Sequence, residues 1–81
     1  MTGTITRLLP SKGYCFIRGE DRISRFGHAR AFKVVTQFDQ AREGQAVEFD
    51  PLVESGPDAK GGGHRAVNIV LLAAGYAVEK L

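Results

Sequence analysis

The sequence has no tryptophan, one cysteine (Cys15), one methionine and three prolines in 81 residues. A single cysteine excludes an internal disulfide, so the chain reads as one suited to a reducing, cytoplasmic setting. No apolar run approaches the roughly 20 residues of a membrane-spanning helix; the longest lies near residues 69–75. Met1-Thr2-Gly3 begins no basic and apolar leader, so no signal peptide is expected. Cys15, His28 and His64 lack short ligand spacing and a fourth partner, so no metal site is expected. Lys60-Gly61-Gly62-Gly63 lacks the Gly-x-x-x-x-Gly-Lys-Ser/Thr order of a phosphate loop. No paired carboxylates and no activated nucleophile stand out, so the chain reads as a non-enzyme that needs no cofactor.

What is present is enough for one small domain. Hydrophobic residues make up 43% of the chain, too many for a disordered tail. The net charge of +2 hides an uneven distribution. Residues 1–35 carry seven basic side chains (Arg7, Lys12, Arg18, Arg22, Arg25, Arg30, Lys33) against two acids, a net of +5. Residues 36–81 carry four basic against seven acidic, a net of −3. The first half is therefore expected to meet an anionic partner.

Turn residues cut the chain into five short strands. They are expected over residues 2–9, 14–18, 23–28, 45–53 and 64–72. Pro10-Ser11-Lys12-Gly13 is the turn of a hairpin between the first two strands, and Gly19-Glu20-Asp21 is another turn. Residues 29–32 read as one helical turn and 33–44 as mostly loop. Pro51 argues for an edge or a bulge within the fourth strand. The glycine-rich residues 55–63 read as a mobile loop, and 73–81 as a short C-terminal tail after a domain over 1–72. Five strands with turns between them predict an all-β, antiparallel barrel. The expected core is Ile5, Ile17, Phe32, Val47, Phe49, Val67 and Ile69.

Two segments carry the functional signal: Lys12-Gly13-Tyr14-Cys15-Phe16-Ile17 and Phe26-Gly27-His28. Strand alternation puts Tyr14 and Phe16 on one face, with Cys15 and Ile17 on the other. Phe26 and His28 share a face in the same way. If the strands are neighbours, four rings line one surface. Nucleobases are the usual partner of such a surface, since every base has a π-face. Lys12 and the arginines around it supply charge for a phosphate backbone.

These elements, with Gly3-Thr4-Ile5, Glu43-Gly44-Gln45-Ala46-Val47-Glu48-Phe49 and Ala66-Val67-Asn68-Ile69, resemble the bacterial cold-shock domain in order and spacing. The resemblance covers residues 2–72. It implies a five-stranded OB-type barrel that binds single-stranded RNA or DNA, with a role in RNA chaperoning or gene regulation. Carried onto this sequence, it gives Lys12, Tyr14, Phe16, Phe26 and His28 as the binding face. Phe38, six residues before Gly44, falls where the family often has an exposed loop aromatic. Arg30 adds charge from the basic half.

The sequence also departs from that pattern. Arg7 stands where the family usually has a tryptophan, although an arginine still stacks on bases and pairs with phosphate. Ala29 replaces a frequent aromatic, Cys15 a glycine, and Arg25 and Gly27 the inward valines beside Phe26. A thinner platform implies weaker binding than in a typical member, since each base stack contributes about 1–3 kcal/mol. The rival expectation is a barrel that has lost this site and docks other proteins.

Overall fold

The computed structural model describes residues 1–53 and 63–72. Residues 55–62 of the expected loop over 55–63, and the expected tail over 73–81, lie outside the described residues. Five strands form a closed barrel: β1 (Thr2–Leu9), β2 (Tyr14–Gly19), β3 (Ser24–His28), β4 (Ala46–Val53) and β5 (His64–Leu71). Around the barrel they run β1-β2-β3-β5-β4, with β4 closing back on β1. The order is OB-like, but the sheet is mixed. β3 and β5 run parallel, through the single pair Phe26 and Arg65, which corrects the expectation of a wholly antiparallel barrel. Two consecutive hairpins force antiparallel neighbours, whereas β5 reaches β3 after a long excursion and is free to arrive in either sense.

The first hairpin turns through a 3-10 segment, Pro10–Lys12, that ends on Gly13 at φ 78°. Only glycine adopts that left-handed conformation at no steric cost. Its N–H donates to the Leu9 and Pro10 carbonyls at 3.0 and 3.2 Å, which closes the turn. β1 then carries a bulge. Arg7 pairs with Phe16 and Ile5 with Ile17, so Thr6 is an extra residue in the ladder. Its hydroxyl donates to the Phe16 carbonyl at 3.3 Å. Strict alternation would place Arg7 on the inner face with Ile5. The bulge turns it outward instead.

A second bulge lies in β5. Asn68 sits at φ 52°, and Asn68 and Ile69 together stand opposite Phe49. Ala66 and Ile69 are both buried as a result, while Val67 is only half-buried, a correction to its place in the expected core. Asn68 Nδ2 donates to Asp50 Oδ2 at 2.8 Å and holds the kink. The other six expected core residues are buried, joined by Cys15, Phe38, Ala41, Ala66 and Leu71. Pro51 lies past Glu48, where the ladder to β1 has ended and β4 pairs only with β5. A proline tolerates that position because its strand is an edge there.

The region expected to be mostly loop contains a helix, α1 (Thr36–Gln40). Five residues make little more than one turn, too few to show a helical period. Tertiary packing holds it: Phe38 inserts against Phe32 with ring centroids 5.5 Å apart, and Gln37 Oε1 accepts from the Leu71 N–H at 3.2 Å.

Inside the barrel, Gly27 lies against Cys15 and Ile69. A Cβ there would meet Ile69 Cδ1 at 3.1 Å, so the missing side chain makes room for both neighbours. Arg25 pairs with Ile17 on the inward face and is 4% exposed. Its guanidinium lies 5.4 Å from the centre of the Phe49 ring and forks onto Asp21 in the β2–β3 turn, at 2.9 and 2.6 Å. A bidentate partner and an aromatic face are what allow a charge in such a place.

Candidate nucleic-acid interface

The outward side chains of β2 are Tyr14, Phe16 and Arg18, the residues left over once Cys15 and Ile17 enter the core. In the β2–β3 ladder Tyr14 faces His28 and Phe16 faces Phe26. Paired residues share a face, so the register alone assembles the rings. Centroids are 5.8 Å apart for Tyr14 and Phe16, 5.0 Å for Tyr14 and Phe26, 6.0 Å for Phe16 and Phe26, and 6.4 Å for Phe26 and His28. These are edge-on and tilted contacts, the arrangement ring quadrupoles favour.

The four rings are together, outside the core cluster, but they are not equally open to water. Tyr14, Phe16 and His28 are half-buried. Phe26 is 6% exposed, which corrects the expectation that it offers an open ring. The other three rings surround it, and the Arg65 guanidinium carbon lies 5.5 Å from its centre. Phe26 is thus the foundation of the cluster, and the other rings form its accessible part.

Basic side chains frame the rings on several sides. Arg7, turned out by the Thr6 bulge, lies opposite Phe16 and is exposed. Lys12 is exposed in the turn that precedes β2, and Arg30 in a 3-10 turn, Ala29–Ala31, that follows β3. The Ala29 N–H donates to the Gly13 carbonyl at 2.9 Å and ties those two turns together beside Tyr14 and His28. His28 Nδ1 accepts from the Arg30 N–H at 3.0 Å, which leaves Nε2 as the ring's donor.

Phe38 does not join this surface. It is 6% exposed and packed on Phe32 in the core, because α1 folds it inward rather than presenting it on a loop. Two residues belong to the face that the sequence reading did not assign to it. Arg18 lies two positions after Phe16 and is exposed, a placement that alternation alone could have found. Arg65 could not have been found that way, because its position depends on the parallel register of β5 against β3.

Cys15 is fully buried, and burial pushes its thiol up to about 12, so it stays protonated and takes no part in the surface. Among the described residues, no group of three or more His, Cys, Asp or Glu side chains is placed to hold a metal ion, and no helix is long and apolar enough to cross a membrane. The chain matches no protein-family model, and no curated protein matches it closely enough to count as a relative.

Proposed function

We propose that this chain binds single-stranded RNA or DNA with little sequence preference, as a divergent cold-shock-type domain acting in the cytoplasm as an RNA chaperone or a regulator of gene expression. The observation that carries this reading is the ring cluster itself. Tyr14, Phe16 and His28 lie in mutual or shared contact around Phe26, on the outside of a barrel whose core is complete without them. Half-open rings ringed by Arg7, Lys12, Arg18 and Arg30 suit a ligand that is flat and anionic by turns. A single strand has that character, and stacking accepts any base.

The test is an anisotropy titration with labelled oligothymidine and a short RNA at two salt concentrations. Phe16→Ala removes an accessible ring and should weaken binding about tenfold or more, the loss of one stacked base, in a domain that remains folded. Affinity should fall steeply as salt rises, through counterion release. Unchanged affinity in Phe16→Ala would sink the proposal.

A second reading, a barrel that docks a protein, is favoured by one observation: Phe26 is covered and a cation replaces the expected first-strand ring, leaving a smaller aromatic surface. Binding to a protein partner with a flat salt response, and none to oligonucleotides, would select it.

A further inference from the structure

Next to the rings, the outer face of β1 and β2 changes character. Arg18 follows Phe16 on the same face of β2, about 7 Å further along the strand. Its row across the ladders runs from Ser24 on β3 through Arg18 to Thr4 on β1 and Ala46 on β4. Here the surface holds an open groove of about 560 Å³, lined by Thr2, Thr4 and Thr6 of β1, by Arg18, by Glu20 in the turn after β2, and by Ala46. Ala46, paired with Thr4, is too small to fill it. Arg18 is exposed, and among the described residues its guanidinium has no hydrogen-bond or ion-pair partner. The Thr4 hydroxyl has none either. The Thr2 hydroxyl donates to Glu20 Oε1 at 2.6 Å and the Thr6 hydroxyl to the Phe16 carbonyl at 3.3 Å. A hydroxyl has one proton, so these two have only lone pairs left to offer, and an ionised Glu20 also only accepts. The groove therefore has one cation for a phosphate, and acceptors that a phosphate diester, having no proton to give, leaves unsatisfied. A ribose 2′-hydroxyl has such a proton, and a deoxyribose lacks that group.

We infer that this groove takes the ribose and phosphate of a nucleotide adjoining those stacked on Tyr14 and Phe16, and that it makes the chain prefer RNA to DNA. The inference rests on the proposed single-strand reading and names the substrate class within it. Arg18 binds the phosphate. Thr4, its cross-strand partner, and Thr6, in the bulge beside Phe16, accept from the 2′-hydroxyl. Glu20, bonded to Thr2 at the other end of the groove, repels phosphate and so fixes the end that the phosphate occupies.

The experiment titrates the full chain with a labelled oligouridine and an oligodeoxyuridine of equal length, which share the base and differ in the 2′-hydroxyl. Wild type is compared with Arg18→Ala, with Thr4→Val/Thr6→Val and with Thr4→Ser/Thr6→Ser. Circular dichroism melts establish that each variant is folded at the assay temperature. If the valine pair is not, Thr4→Val alone decides, since that hydroxyl has no partner within the described residues. Wild type should bind the RNA about two- to tenfold more tightly, the net contribution of one hydrogen bond. The valine pair should lose that preference by weakening RNA binding alone, and the serine pair should keep it. Arg18→Ala should weaken RNA and DNA binding alike and flatten the dependence on salt. Equal binding of the two by wild type, or tighter binding of the DNA, overturns the inference and leaves the single-strand reading standing. So does an RNA preference that survives in the valine pair, one that the serine pair loses equally, or an Arg18→Ala variant that binds both as wild type does. Should wild type bind neither oligonucleotide, the single-strand reading itself falls.

Discussion

Phe26→Ala should damage stability far more than Phe16→Ala, although the two residues are direct cross-strand partners of the same type. Phe26 is 6% exposed, touched by three rings and by the Arg65 guanidinium. Truncating a buried phenylalanine costs about 3–5 kcal/mol, through lost transfer free energy and the cavity left behind. Each aromatic pair lost is part of that figure, at about 0.5–1.5 kcal/mol. Phe16 is half-buried, so its truncation should cost roughly half as much, since the apolar term scales with the area removed from water. A domain of this size holds only about 4–12 kcal/mol of net stability. At about 4–8 °C per kcal/mol, Phe26→Ala should lower Tm by roughly 15 °C or more, and Phe16→Ala by clearly less. Thermal melts followed by far-ultraviolet circular dichroism measure both. If Phe26→Ala melts within a few degrees of wild type, or no lower than Phe16→Ala, the assignment of Phe26 as the foundation of the cluster is refuted.

Two further outcomes concern titration. Hydrogen bonds from Arg25 hold the Asp21 carboxyl down to about 2, and Thr2 holds Glu20 below its usual range. A depressed acid contributes stability that is complete above its unfolded value of about 3.9 and is lost as pH falls toward the folded one. The Tm gap between wild type and Asp21→Asn should therefore be widest above about pH 4–5 and shrink toward pH 2; parallel curves would exclude the Arg25 pair as its source. For Cys15 the sign is reversed. The thiol is raised to about 12, so the stability linked to it is intact below about 8.5 and declines as pH rises further. At pH 8 a thiolate-directed alkylating reagent should label Cys15 only after denaturation, and prompt labelling of the folded chain would contradict its burial.

Alternation within each strand follows from the sequence alone. Cys15 and Ile17 are apolar on one side, Tyr14 and Phe16 aromatic on the other, and an extended backbone has no other way to arrange four consecutive residues. Pairing of the first hairpin was legible as well, because its short turn leaves little choice of partner. The tertiary structure decided the rest. Whether a strand takes an extra residue depends on its neighbour's count as well as its own, so the bulges at Thr6 and Asn68, which turn Arg7 outward and displace Val67 from the core, leave no local mark. Phe38 is inside because a five-residue helix packs it against Phe32. Arg65 lies over Phe26 because a strand distant in sequence arrives parallel and in that one register. Side-chain parity is a property of one backbone, whereas which rings stay open is settled only when separate strands meet.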